Sequence, residues 1–365
     1  MDAIDRQKLF FRPVCSAAEI ERILNVKTSK DHLLKLRAET IVDHMRLFRV
    51  YRNKALKDER NWSLEASFNT SHYEAVLAKL PKDARTICRA VTYGDIFSDD
   101  PNGMIFNTPY GPVTTISESL RFFLKFAHLA ILEFEDEVPM RIRMNSLRIA
   151  IRVMLRKEAM DFYMDPRGII PAKVATAIHV PIPLQLKFIA GHEFSHFILG
   201  HLSESNLVDQ PIFYALSGGE AEYKPLKVYN TSQRNEFDAD LQSILLPKYS
   251  IRQRNEILRA ALLWFGCIEL FYAVRDVIFP QGSWSIQTHP TPRERYENLL
   301  ANVPATGLDA QHWKEFPGLI DRLKTFLQED VSLNFDAYEM YGSAYLDAPN
   351  TQWRGRELID RVDYY

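Results

Sequence analysis

Apolar residues recur at three- and four-residue intervals along most of the chain, the mark of amphipathic helices rather than strands. The spacing predicts helices over Ala17–Leu24 and Asp31–Leu56, followed by an apolar helix from Ile116 to Glu135. Between Phe97 and Val113 the pattern breaks, because Asp99-Asp100-Pro101-Asn102-Gly103, Pro109 and Gly111 are turn formers that suit neither period. Two short β-favouring runs, Phe162-Tyr163-Met164 and Ile178-His179-Val180, alternate with Pro and Gly and predict two or three strands of a small sheet. Helical spacing then returns over Leu184–Leu202, Ser232–Leu246, Ile251–Ile278, Pro292–Asn302 and Gly318–Gln328. The expected class is α+β, mostly α-helical, in three parts: a helical accessory region over 1–105, a main domain over 106–330, and a tail over 331–365 that packs on the core or acts as a lid.

With 365 residues, 46% of them hydrophobic and 12% aromatic, the chain can bury a full core without disulfides. Its formal net charge of −2 gives no overall attraction to nucleic acid, so no nucleic-acid partner is expected. The basic stretch Met140–Lys157 reads as a solvated face. Cys15, Cys88 and Cys267 are far apart and unpaired in sequence, which fits a reducing compartment. The start lacks a signal-peptide pattern. The longest apolar stretch, Ile257–Pro280, is interrupted by Arg259, Glu269, Arg275 and Asp276, short of the ~18 uncharged residues of a spanning helix. The expectation is a cytoplasmic chain with no membrane span, its oligomeric state open.

One motif changes the picture. His192-Glu193-Phe194-Ser195-His196 is an HExxH sequence, and on a helix its four-residue spacing stacks both imidazoles on one face, able to grip a single ion. Glu193 then lies beside the ion, where it suits a general base acting on a water whose pKa zinc lowers to about 7. The flanking Phe188–Leu199 is apolar on nearly every side and marks a buried helix. Two imidazoles and a carboxylate buried there without partners would cost several kcal/mol, which a metal removes. The competing reading is a pair of hydrogen-bonded core histidines.

A catalytic zinc site takes three protein ligands, and the helix at Ser232–Leu246 can supply the third. Glu236 and Asp240 sit one turn apart beside an apolar stripe of Phe237, Leu241, Ile244 and Leu245. Glu236 is placed to ligate, and Asp240 to hold the far nitrogen of a ligating histidine. Glu220 and Glu222 are weaker ligand candidates because they lie in a loop.

The HExxH motif and a helix carrying E-x-x-A-D resemble the gluzincin zinc metallopeptidases, in particular the group of CAAX prenyl proteases, HtpX and Oma-type enzymes. His192–His201 resembles the HExxHxxxGH form of that group, Arg234–Asp240 its second motif, and Thr288-His289-Pro290 with Arg295 its third. Lit-type and ImmA-type peptidases share related motif logic more distantly. The resemblance covers about Leu184–Leu300. It implies a zincin-like core over 106–330, Zn²⁺ held by His192, His196 and Glu236, peptide-bond hydrolysis of a protein or peptide substrate with Glu193 as base, and His289 and Arg295 lining the active site.

His289 also precedes a capping box, Thr291–Glu294 with Pro292 at the first helical position, which presents it at a helix mouth. There it either donates to an oxyanion, a role worth about 3 kcal/mol in such sites, or is a surface histidine. Arg295 either lines the site or pairs with Glu236 or Asp240. His201 is expected to cap the helix end after Gly200. The rival function is a zinc-stabilised binding or regulatory protein that cuts nothing.

Overall fold

The computed structural model describes residues 8–98, 101–134, 137–202, 207–210, 226–229, 233–280, 290–304, 310–347 and 353. Its helices are α1 (Ala17–Leu24), α2 (Ser29–Val42), α3 (Met45–Lys57), α4 (Ser71–Leu77), α5 (Lys82–Cys88), α6 (Ser119–Ile131), α7 (Met140–Met154), α8 (Ala172–His179), α9 (Ile182–Ile198), α10 (Gln233–Leu245), α11 (Ile251–Ile278), α12 (Pro292–Asn302), α13 (Ala310–Leu333) and α14 (Phe335–Glu339). The strands are β1 (Thr92–Tyr93), β2 (Gly103–Thr108), β3 (Gly111–Ile116), β4 (Leu207–Gln210) and β5 (Leu226–Tyr229), in one sheet of order β1-β3-β2-β5-β4. The β1–β3 pair is parallel and the others antiparallel. The molecule is mostly helical with a minor sheet, as the sequence led us to expect.

Helix starts follow local chemistry. Ser16 with Glu19, Thr28 with Asp31, Ser250 with Gln253 and Thr291 with Glu294 each close a capping box that satisfies orphan N–H groups at a first turn. The sheet lies elsewhere than the sequence suggested. Ile178 and His179 end α8, framed by Pro171 and Pro181, and Phe162–Met164 forms turns, whereas Gly103, Pro109 and Gly111 belong to a hairpin; Asp99 and Asp100 lie outside the described residues. The hairpin strands register Gly103 with Ile116 and Thr108 with Gly111, whose φ of +120° only glycine adopts readily.

The hairpin is packed on both faces. Phe106 and Val113 join Leu33, Leu36 and Ile96 in a small cluster against α2, while Ile105 and Ile116 belong to the main core that includes α9. The period-two alternation of a strand produces this division. Residues of the main core run from Phe11 to Trp353. Helix α7 turns three of its arginines onto the fold, Arg148 on Asp330, Arg152 on Glu158 and Arg143 on the carbonyls of Ala130 and Leu132, while Arg141 stays exposed.

The expectation of no membrane span, and the cytoplasmic location built on it, are overturned. Two helical stretches, Ala172–Ile198 and Ile251–Ile278, are long and apolar enough to cross a membrane by length and composition. Arg275 and Asp276 lie beyond Val274, and from Ile257 to Val274 only Arg259 and Glu269 are charged. Within the fold, 50% of the qualifying window of the first stretch and 78% of the second are buried.

Candidate metal centre

Helix α9 is buried around its whole circumference from Phe188 to His196, so every polar side chain on it needs an internal partner. Helix α10 supplies them. The two helices meet where Gly191 faces Ser243, and a Cβ added at Gly191 would lie 3.3 Å from the Ser243 Cβ and carbonyl oxygen. That close approach brings a small, polar face of α10, Glu236, Ala239, Asp240 and Ser243, against the histidine face of α9. The apolar stripe expected on α10 is buried in part: Ile244 is fully buried, Phe237 and Leu241 are half-buried and Leu245 is exposed.

His192 Nε2 and His196 Nε2 are 2.9 Å apart, and Glu236 reaches them with Oε2 at 3.5 Å and Oε1 at 3.4 Å. One donor atom from each of the three residues lies within 4.8 Å of the others, and the residues are only 2–4% exposed. Ligands on a tetrahedral zinc with bonds of about 2.0–2.1 Å stand about 3.3 Å apart. The Glu236 distances already match, and the histidine pair needs to open by a few tenths of an ångström.

Each imidazole is fixed from behind. His192 Nδ1 lies 2.9 Å from Asp240 Oδ1, and His196 Nδ1 lies 2.9 Å from His201 Nδ1. With Nδ1–H donating to these acceptors, both Nε2 lone pairs face the shared point, the tautomer a metal ligand requires. His201 reaches its place because Gly200 turns the chain at φ +72° and the His201 N–H closes onto the His196 carbonyl at 2.9 Å. The expected helix cap is thus present, and its side chain also steadies a candidate ligand.

Arg295, on α12, joins the cluster as an ion pair. Its Nε and Nη2 bind Asp240 at 2.8 and 2.6 Å, and Nη1 lies 3.1 Å from Glu236 Oε2. The guanidinium also stands over the Phe265 ring at 4.9 Å. Burial alone would raise the Asp240 carboxyl, but Arg295 and the His192 hydrogen bond hold it below the usual carboxylate range. For His196, burial and the neighbouring His192 push the pKa down to about 4 against the pull of Glu236, so the ring is neutral. At His192 burial opposes protonation, yet Asp240 outweighs it and raises the pKa.

Glu193 is 3% exposed and lies under the start of β2, where a Cβ added at Gly103 would come within 2.8 Å of its Cγ and Oε1. Only glycine lets the strand pass over this carboxylate. Nothing in the sequence pattern singled out Gly103 or Gly191, since both act through contacts with segments distant in sequence. His289, Glu220 and Glu222 lie outside the described residues.

The donor chemistry fits a divalent ion. Two imidazole nitrogens and a carboxylate oxygen are donor types that zinc takes. The buried His–His–Glu cluster can coordinate a metal and is consistent with a gluzincin-type site. Scans against protein-family models, curated proteins and solved structures match nothing to this chain.

Proposed function

We propose that the chain is a zinc-dependent endopeptidase with His192, His196 and Glu236 as ligands and Glu193 as general base. The observation that carries this reading is the convergence of His192 Nε2, His196 Nε2 and a Glu236 oxygen on one buried point, with Glu193 on the same helix beside it. Among the described residues three protein donors converge, which suits catalytic zinc with its open fourth position, whereas a structural zinc recruits a fourth side chain. Bound there, zinc supplies Lewis acidity, lowering the pKa of a water to about 7 and polarising the scissile carbonyl.

The protein's own groups do the rest. Glu193 takes a proton as the water oxygen bonds to the carbonyl carbon, then returns it to the amine nitrogen as the C–N bond breaks, work typically worth about 10²–10⁴ in rate. Asp240 and His201 hold the ligating rings in one tautomer and direction. Arg295 pairs with Asp240 and Glu236 together and holds the Asp240 carboxyl below its usual range. The motif order resembles that of the group of CAAX prenyl proteases, HtpX and Oma-type enzymes. In this reading 106–330 is the catalytic domain.

The test compares wild type with Glu193→Gln for bound zinc and for cleavage of a proteome-derived peptide library followed by mass spectrometry. One zinc per chain in both, with cleavage by the wild type alone, supports the proposal. Zinc in both without any cleavage makes this a zinc-stabilised binding protein, and a wild type that cannot be loaded with metal removes the metal centre itself.

A further inference from the structure

A cavity of about 370 Å³ lies among four helical segments, none of them contributing a metal-site residue to it. Leu184, Leu263 and Leu319 meet in it from α9, α11 and α13, and Trp313 and Phe316 form an aromatic wall. Its charged or ionisable lining residues are Glu133, Glu256, Arg259 and His312; the rest are apolar. Arg259 and His312 are exposed, and Glu256 is held by Arg252 at 2.9 Å. Both membrane-length stretches contribute, the first through Val180 and Leu184, the second through Glu256 to Leu263.

The dimensions select the occupant. At the ~30 Å³ that a water-sized group occupies, the space takes about a dozen methylenes. A partner protein's single leucine or phenylalanine would leave much of it empty, and vacant apolar space forfeits packing. A polar ligand would find no internal donor or acceptor among the apolar lining groups and would lose its hydration. An unbranched aliphatic chain meets neither penalty. Its headgroup would stay in water at the edge of the cavity, where the exposed side chains of Arg259, His312 and Glu133 lie.

We propose that this cavity binds one acyl chain of about twelve carbons or more from a single-chain amphiphile, with the headgroup at Arg259 and His312. A free fatty acid and a lysophospholipid both carry this chemistry.

The full chain is titrated with cis-parinaric acid, a fluorescent C18 acid, and the probe is displaced with octanoate, laurate, palmitate and lysophosphatidylcholine below their micellar concentrations; native mass spectrometry reads stoichiometry. One probe per chain is expected, with laurate displacing it roughly a hundredfold better than octanoate, four methylenes shorter. Leu319→Trp, which fills the space from a half-buried position, should weaken binding about tenfold or more at an unchanged melting temperature. If Arg259→Glu weakens palmitate more than lysophosphatidylcholine, the ligand is a fatty acid; the reverse identifies a lysophospholipid. Absence of one-to-one binding, no chain-length dependence, or wild-type affinity in a folded Leu319→Trp overturns the proposal. The chain-length series decides the matter even where Leu319→Trp fails to fold.

Discussion

Two clusters of buried charge differ in a single respect. Around Arg167, which is fully buried, Arg46, Arg152 and Arg167 face Glu158, Asp161 and Asp165, three cations against three anions. The C-terminal segment completes that cluster: the Ala344 N–H donates to Glu158 at 3.1 Å and the Tyr345 hydroxyl to Asp165 at 2.8 Å. Around His192, the carboxylates of Glu236 and Asp240 both engage Arg295, and two imidazole nitrogens converge with a carboxylate oxygen. The first cluster is self-sufficient and locks a tail onto the core. The second turns ligand atoms of two imidazoles and a carboxylate toward one point, an arrangement that can hold a metal ion.

The sharpest way to separate them is to remove one charge from each. Glu193→Gln should lower peptide hydrolysis by about 10²–10⁴ while leaving zinc content and unfolding by urea close to wild type. A parallel loss of zinc would move Glu193 from base to ligand and redraw the site. Arg167→Met should do the opposite, destabilising the fold by about 3–5 kcal/mol, because three carboxylates lose a partner in a dry interior. Its residual folded fraction should bind zinc with unchanged stoichiometry; a stability loss under ~1 kcal/mol would show that the Arg167 cluster is hydrated and not locked.

A third cluster lies between these extremes and is read by pH. Asp95 is fully buried and receives Arg121 at 2.7 Å, His72 at 3.0 Å and the Tyr73 hydroxyl at 2.9 Å, leaving Glu118 to share Arg121 at 2.9 Å. Burial pushes the Glu118 carboxyl up to about 7, with Asp95 adding to the rise and Arg121 opposing it. The folded state therefore holds this proton more tightly than the unfolded one. Its contribution is fully present below the unfolded pKa of about 4.5 and disappears as pH rises through about 7. Between those values the metal-free protein should lose about 2–3 kcal/mol that Glu118→Gln does not lose. The measurement is the difference in urea midpoint between the two proteins from pH 4.5 to 8, which cancels other titrating groups; parallel curves would mean that Glu118 is ionised throughout.

The comparison also explains what the sequence made legible. HExxH works through a helical repeat of four residues, so convergence of His192 and His196 follows from local geometry, and Glu236 with Asp240 follows from the same repeat on a second helix. The bounds of α1, α11 and α12 were read correctly because their periodicity is long or their caps are strong. The sheet was misplaced because β-branched runs such as Ile178–Val180 also suit a short helix between prolines, while Gly103–Ile116 hid its strands among turn residues. Gly103 over Glu193, Gly191 against Ser243 and the Arg167 cluster each need distant segments to meet, which spacing does not encode.

The two ligating histidines give the finest contrast. Asp240 is an ionised acceptor behind His192, and Asp240→Asn should weaken zinc binding toward the upper end of the 10–100-fold typical of such changes, about 2–3 kcal/mol. His201 is a neutral acceptor behind His196, since burial lowers its pKa, and a neutral hydrogen bond is about half as strong as a charge-assisted one. His201→Ala should therefore cost only about tenfold in zinc affinity, and His201→Asn, which keeps an acceptor, should restore part of it. Competition with a chelating dye at pH 7.5 measures all three variants. Equal losses at Asp240 and His201 would mean that acceptor charge does not set ligand strength here, and a His201→Ala variant with wild-type affinity would reduce His201 to a helix cap.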